Sequence, residues 1–106
     1  MAVLHINSVE DLSRILDTNV IIFDFFATWC GPCKSIAPVF EDLANKNPKV
    51  KFVKVDVEAG EEIAQNYEIT AMPTFILSNK GDVVDRIKGA DIDGLNALVA
   101  KASSLL

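Results

Sequence analysis

The chain has 106 residues, half of them hydrophobic and 24% charged, a composition typical of a globular domain with a substantial core. Ten basic against fifteen acidic residues give a net charge of −5, which argues against binding to nucleic acids or to anionic membranes. No segment approaches the roughly 20 apolar residues of a membrane span, and the start of the chain lacks the features of a secretory signal. We therefore expect one domain over residues 1–106, in the cytoplasm.

Hydrophobic periodicity predicts elements in the order β-α-β-α-β-α-β-β-α. The segment Val20–Phe26 hardly alternates between apolar and polar residues, which indicates a strand buried on both faces. The other predicted strands are Val3–Ile6, Val50–Val57, Thr74–Leu77 and Val83–Ile87. The predicted helices follow Ser8, follow Cys33, cover Glu61–Asn66 and begin near Asp91, and the last helix is expected to face inward with Ile92, Leu95, Leu98, Val99 and Ala102. Helical crossovers make strands parallel, whereas the last two form a hairpin. The expected fold class is therefore α/β, with a central mixed five-stranded sheet flanked by four helices.

The two cysteines of the chain lie together in Trp29–Cys33 (Trp-Cys-Gly-Pro-Cys), between a predicted strand and a predicted helix. A strand-to-helix junction supplies the tight turn that a disulfide between such close neighbours requires. The free N–H groups and the dipole at the start of the helix favour the thiolate of the first cysteine. Because the thiolate is the species that attacks disulfides, this segment is predicted to carry the chemistry.

Two other interpretations of the cysteine pair remain open. A purely structural disulfide over so short a loop contributes only about 2 kcal/mol, against about 3 kcal/mol for a 15-residue loop. A closed structural zinc site needs four ligands, which two cysteines and the single, distant His5 do not supply within one chain. A zinc or iron–sulfur site shared between two chains stays an alternative. A redox-active dithiol is the favoured interpretation.

Four segments, in this order along the chain, resemble the thioredoxin family. They are Asp24–Lys34 (DFFATWCGPCK), Phe52–Asp56, Met72–Phe75 and Gly89–Ala90. The cysteine spacing alone is shared with disulfide oxidants and isomerases, whereas the Gly-Pro insert and the other segments make the resemblance specific. Phe26 stands where bacterial members commonly have tryptophan, so the resemblance is closer to the eukaryotic, cytosolic type. The resemblance implies the thioredoxin fold over essentially the whole chain.

The resemblance also implies the roles of four catalytic residues. Cys30 would be the nucleophile that forms a mixed disulfide with a client protein. Cys33, which lies one helical turn further in and should be less exposed than Cys30, would resolve it. The position of Asp24 implies a buried acid that exchanges a proton with Cys33, with a lysine such as Lys54 nearby. The surrounding apolar residues also favour burial of Asp24, which would raise its pKa. The alternatives are a solvated aspartate at a strand end and an ordinary solvated lysine.

A shallow surface for docking client proteins is expected around the cysteines. Pro73 corresponds to the cis-proline of the family, which would present the backbone of Met72 to an extended substrate. Lys88 departs from the family pattern and would add a positive charge at the rim of this surface. The expected substrate-binding residues are Trp29, Gly31, Pro32, Met72, Pro73, Gly89 and Ala90.

The function implied is that of a monomeric protein-disulfide reductase of general cellular redox homeostasis. It would need no bound cofactor or metal, would receive electrons from a thioredoxin reductase and would pass them to disulfide-containing clients. The first alternative is a disulfide oxidant or isomerase. Such proteins usually place a histidine between the cysteines, and Gly31 and Pro32 offer no such group. The second alternative is a binding module in which the dithiol is incidental, and it would keep its function after both cysteines are replaced by serine.

Overall fold

The computed structural model describes residues 2–106, which build one five-stranded sheet with helices on both faces. The strands run in the spatial order β1-β3-β2-β4-β5, and β2 at the centre pairs parallel with β3 and antiparallel with β4. The elements are β1 (Val3–His5), α1 (Val9–Leu16), β2 (Val20–Phe26), α2 (Gly31–Lys46), β3 (Lys51–Asp56), α3 (Glu61–Asn66), β4 (Thr74–Asn79), β5 (Asp82–Lys88) and α4 (Ile92–Ser104). The predicted element order and mixed sheet are confirmed.

The central strand β2 divides the core into two halves, because successive side chains point to opposite faces of the sheet. Ile22 packs with residues of α2 and α4, whereas Phe23 and Phe25 pack with residues of α1 and α3. Asp24 shares the face of Ile22 by this alternation, which is the face that α2 covers. The site is therefore built between the C-terminal half of β2 and the first turn of α2.

Two details differ from the sequence prediction. The hairpin strands extend to Asn79 and from Asp82, which leaves a two-residue turn in place of the predicted loop 78–82. Lys80 and Gly81 both have positive φ, of 50° and 95°, as a type I′ turn requires, and this turn matches the twist of the paired strands. Ile92 was predicted to face inward but is 49% exposed. It is the first residue of α4 and lies almost one turn before Leu95, where burial begins.

Candidate active site at the start of helix α2

Cys30 and Cys33 form a disulfide at the N-terminus of α2, with their Cα atoms 5.3 Å apart. Cys30 is the N-cap residue, and the backbone N–H of Cys33 donates to its Sγ at 3.2 Å. Pro32 occupies the first turn of α2, where its missing N–H has no helical partner to lose. The sulfur of Cys30 thus accepts one of the free N–H groups at the positive end of the helix, which stabilises negative charge on it.

Burial does not separate the two cysteines as clearly as the sequence suggested. Cys30 is 6% exposed and Cys33 is 4% exposed, so the expected order holds by a small margin. Both pack in one small cluster with Ala27, Phe26 and Met72. Their difference lies in position, because Cys30 caps the helix and Cys33 lies inside its first turn.

The segment Met72–Pro73 lies against the disulfide. The carbonyl oxygen of Met72 is 3.7 Å from Sγ of Cys30, and the peptide bond between Met72 and Pro73 is cis. The N–H of Gly89 donates to the carbonyl oxygen of Pro73 at 2.8 Å, which joins the end of β5 to this segment. Gly89 has a φ of +88°, a conformation that glycine adopts without the steric cost of a Cβ atom.

Most of the predicted substrate-binding residues lie around the disulfide at or near the protein surface. Trp29 is 66% exposed, and its Nε1–H donates to Oε1 of Glu58 at 3.2 Å. Met72 and Gly89 are half-buried, and Pro73 is the one member of the set that is buried. We call the set Trp29, Gly31, Pro32, Met72, Gly89 and Ala90 the docking surface, after the role that the sequence predicts for these residues. Glu58 was not predicted, and its position two residues after β3 carries no sequence signal for this hydrogen bond.

Asp24 and Lys54 lie side by side on the other side of the site. They are directly opposite each other in the register of β2 and β3. Asp24 is 1% exposed, and neither carboxylate oxygen has a hydrogen-bond partner among residues 2–106. Burial raises the pKa of Asp24 from 3.8 to about 7, while the positive charge of Lys54 acts in the opposite direction. The solvated alternative for Asp24 is therefore wrong, and the carboxyl titrates near neutral pH.

A cavity of about 220 Å³ is lined by both Lys54 and Cys33. Its lining consists of Phe26, Ala27, Thr28, Cys33, Lys34, Ala37 and Lys54. Nζ of Lys54 lies 4.6 Å from the centroid of the Phe26 ring, which holds the ammonium group beside the cavity by a cation–π contact. The sequence had no signal for this contact, because the two residues belong to different strands. The second cysteine and Lys54 thus share one opening, on a face of the sheet that also carries Asp24.

Within residues 2–106, no three histidine, cysteine or acidic residues come together as a metal-binding group. No helix in the described part of the chain is long and apolar enough to cross a membrane. The chemistry that the geometry offers is that of the cysteine pair. A disulfide at a helix N-terminus, beside an exposed tryptophan and a buried acid, defines the class of thiol–disulfide oxidoreductases.

Comparisons with known proteins identify the family within this class. The thioredoxin family model matches residues 3–101. Thioredoxin-1 of Caenorhabditis elegans is 42% identical over 90 residues, which cover 85% of this chain and 78% of that protein. A mitochondrial thioredoxin-2 of Schizosaccharomyces pombe is 41% identical over 100 residues, which cover 91% and 75% of the respective chains. The solved structure of Malassezia sympodialis thioredoxin is similar with a TM-score of 0.90 and 41% identity, covering 95% of this chain and 90% of that one.

The chain belongs to the thioredoxin family and has the thioredoxin fold. The Cys30–Cys33 pair makes it a protein-disulfide oxidoreductase that works by dithiol–disulfide exchange. The resemblance deduced from the four sequence segments is confirmed. Disulfide-containing proteins and a reductase are its partners in the general sense that membership of this family carries.

Proposed function

We propose that this protein is a general reductase of protein disulfides in which Cys30 attacks and Cys33 resolves. The observation that carries the proposal is the N–H of Cys33 donating to Sγ of Cys30 at the start of α2, which stabilises a thiolate at position 30. Gly31 and Pro32 place no further positive group near that thiolate. This supports a reducing couple rather than an oxidising one, because added stabilisation of the thiolate makes such a couple more oxidising.

In the first step, the Cys30 thiolate attacks one sulfur of a client disulfide. A new bond forms between Sγ of Cys30 and that sulfur, and the client S–S bond breaks. The departing client sulfur leaves with the electron pair and takes a proton from solvent. The backbone of Met72, whose carbonyl oxygen lies beside Cys30, is suited to pair with an extended client segment during this step.

In the second step, Cys33 loses its proton and attacks Sγ of Cys30. The mixed disulfide breaks, the client leaves with both sulfurs reduced, and the intramolecular disulfide forms. Asp24 is proposed as the base that takes the proton, because its pKa of about 7 matches a group that must accept and release a proton at neutral pH. Lys54 is a positioning residue whose charge keeps part of Asp24 ionised.

The docking surface is proposed to hold clients without a deep pocket. Trp29 offers an exposed flat ring, and Gly31, Pro32 and Ala90 are exposed around it. Pro73 is proposed to hold the Met72 backbone in place, since its own carbonyl is tied to Gly89. Such a surface suits many clients, as a general reductase requires.

We further propose an electron donor, an oligomeric state and a cellular location for this protein. A thioredoxin reductase would return two electrons and two protons to the disulfide, and no bound cofactor would be needed. We propose a monomer, a single domain over residues 1–106 and a cytoplasmic location. Because one relative is mitochondrial, the location should be measured directly by imaging the tagged protein in its own cells.

The reduction potential of the Cys30–Cys33 couple tests the proposed direction of electron flow. Trp29 lies beside the disulfide and is the single tryptophan of the chain, so its fluorescence reports the redox state during titration against thiol buffers. A value close to the roughly −270 mV of thioredoxins supports the reductase, and one close to the roughly −180 mV of protein disulfide isomerase contradicts it. Reduction of a protein disulfide with dithiothreitol as electron donor completes the test, with the double variant Cys30→Ser/Cys33→Ser as control.

A further inference from the structure

An open groove of about 480 Å³ begins at Met72 and leads away from the disulfide along α3. Its apolar lining includes Val57, Ala64 and Ile69 in addition to Met72. Val57 and Met72 also pack against the two cysteines, so the groove and the docking surface are continuous. A client segment that pairs with Met72 while its disulfide reaches Cys30 would therefore have neighbouring residues at the mouth of this groove.

The charged residues that line the groove are both acidic. Glu61 comes from α3 and Glu68 from the loop that follows it, and both are exposed. Neither belongs to any ion pair formed within residues 2–106, although Oε1 of Glu61 accepts a hydrogen bond from Nε2 of Gln65 at 3.4 Å. An apolar groove between carboxylates is complementary to a side chain with an apolar stem and a cationic end.

The loop that carries Glu68 is well anchored. The N–H of Glu68 donates to the carbonyl of Gln65, and the N–H of Ile69 donates to the carbonyl of Ala64, each at 3.0 Å. These bonds hold the backbone of Glu68 at a φ of 56°. The backbone position from which the Glu68 side chain extends is therefore fixed beside the groove.

Lys88 carries a positive charge, opposite to that of the groove, and lies on another side of Met72–Pro73. It ends β5, one residue before the Gly89 that donates to Pro73, and it is exposed. A cationic client residue is repelled on the β5 side and attracted on the α3 side. The charges around the docking surface therefore differ between its two sides.

We propose that the groove between Glu61 and Glu68 binds a lysine or arginine side chain of the client, close in sequence to the cysteine under attack. Clients with a basic residue at that place are reduced faster than clients that lack it. The inference rests on the proposed reductase function and adds the class of client that the site prefers.

The test uses synthetic peptide disulfides that differ only in a lysine, a glutamine or a glutamate two to four residues before or after the cysteine. In at least one position, the second-order rate for the lysine peptide should exceed that for the glutamine peptide by about threefold to tenfold, and the glutamate peptide should be slowest. The preference should shrink in 0.5 M NaCl, because exposed charges are screened. Equal rates for the three peptides at every position would overturn the inference.

The double variant Glu61→Gln/Glu68→Gln should bring the lysine-to-glutamine ratio close to one. The control is Glu41→Gln/Glu62→Gln, which removes the same charge from exposed residues outside the groove and should keep the preference. An equal loss in both variants would contradict the groove, since net charge alone would then explain the preference. The ratio is measured within each protein, so a general loss of activity does not imitate the result.

If the wild type reduces the glutamine peptide as fast as the lysine peptide, the groove inference alone fails. If it reduces none of the peptides, the proposed function fails as well.

Discussion

The two sides of the Cys30–Cys33 disulfide differ in almost every physical respect. On the inner side, Asp24 is 1% exposed, and the opening to Cys33 is shared with Lys54. On the outer side, Trp29 is 66% exposed beside Cys30. Shielding from water is what raises the pKa of the Asp24 carboxyl towards neutrality, whereas a surface that receives many proteins must be open to water. The fold provides both by placing the cysteines at the boundary between core and solvent.

The largest expected effect distinguishes Cys30, the attacking cysteine, from Cys33, the resolving one. Either Cys30→Ser or Cys33→Ser should lower the rate of disulfide reduction by about a thousandfold or more, because each removes one sulfur of the exchange. Only Cys33→Ser should accumulate a covalent complex with a protein disulfide, because it retains the attacking thiolate and lacks the resolving one. Non-reducing gel electrophoresis measures the complex. Equal trapping by both variants would mean that the assigned roles are wrong.

The second-largest effect concerns the buried carboxyl group of Asp24 on the inner side. Asp24 has a pKa of about 7 in the folded state against 3.8 for a freely solvated aspartate, so between these pH values the folded state holds a proton that the unfolded state has released. Its contribution to stability is therefore greatest at low pH and declines as the pH rises towards 7, by about 4 kcal/mol in total. Asp24→Asn should remove this decline and be more stable than the wild type at pH 8. Urea unfolding of the oxidised protein at pH 5 and pH 8 measures it.

Asp85→Asn is the matched control for Asp24→Asn. Hydrogen bonds from the Lys101 side chain and from the Arg86 backbone lower the pKa of the half-exposed Asp85, so its contribution to stability is present above the ordinary pKa and is lost only in more acidic solution. This variant should leave the change in stability between pH 5 and pH 8 as it is in the wild type. Asp24→Asn should also slow turnover. A wild-type rate in that variant would remove Asp24 from the mechanism.

A third, smaller effect sharpens the assignment of Lys54. Because its charge lowers the pKa of Asp24, Lys54→Met should raise that pKa further and shift the pH dependence of the reduction rate upwards. Lys51→Met is the matched control, since Lys51 is an exposed lysine of the same strand that does not line the cavity. The measurement is the reduction rate between pH 5 and pH 9. Equal shifts in the two variants would indicate a general charge effect.

The smallest predicted effect belongs to two glycines of the docking surface. A Cβ atom added at Gly31 or at Gly89 meets no atom within 4 Å, but only Gly89 has a positive φ, of +88°. Gly89→Ala should therefore cost about 1 kcal/mol of stability through backbone strain, whereas Gly31→Ala should change stability by less than about 0.5 kcal/mol. Chemical denaturation of the two variants measures the difference. Equal losses of stability in the two variants would mean that the cost does not come from backbone conformation.

The local pattern of the chain was sufficient for the order of the elements and for the resemblance. The apolar run Val20–Phe26 predicted the central strand to the residue. Ser8 and Asp91 predicted helix starts that the side-chain caps confirm, at 3.1 Å to the N–H of Asp11 and at 2.9 Å to that of Gly94. These features depend on neighbours along the chain, and short-range physics determines them.

The details of the site depend on contacts between distant segments. The hydrogen bond from Trp29 to Glu58 spans 29 positions, and the approach of Cys30 to Met72 spans 42. Lys54 meets the ring of Phe26 because β2 and β3 pair in one particular register. No periodicity within either segment contains that information.

The sequence by itself determined the position of the cysteines at a helix start, the mixed sheet and the thioredoxin family, because these follow from local residue patterns and from a motif. Only the tertiary structure decided that Asp24 is fully enclosed, that its pKa lies near neutrality, and that an acidic groove extends from Met72. Solvent exclusion and the meeting of charges arise when separate segments pack against each other. That is the physical reason why folding was needed to reveal the two unlike sides of one disulfide.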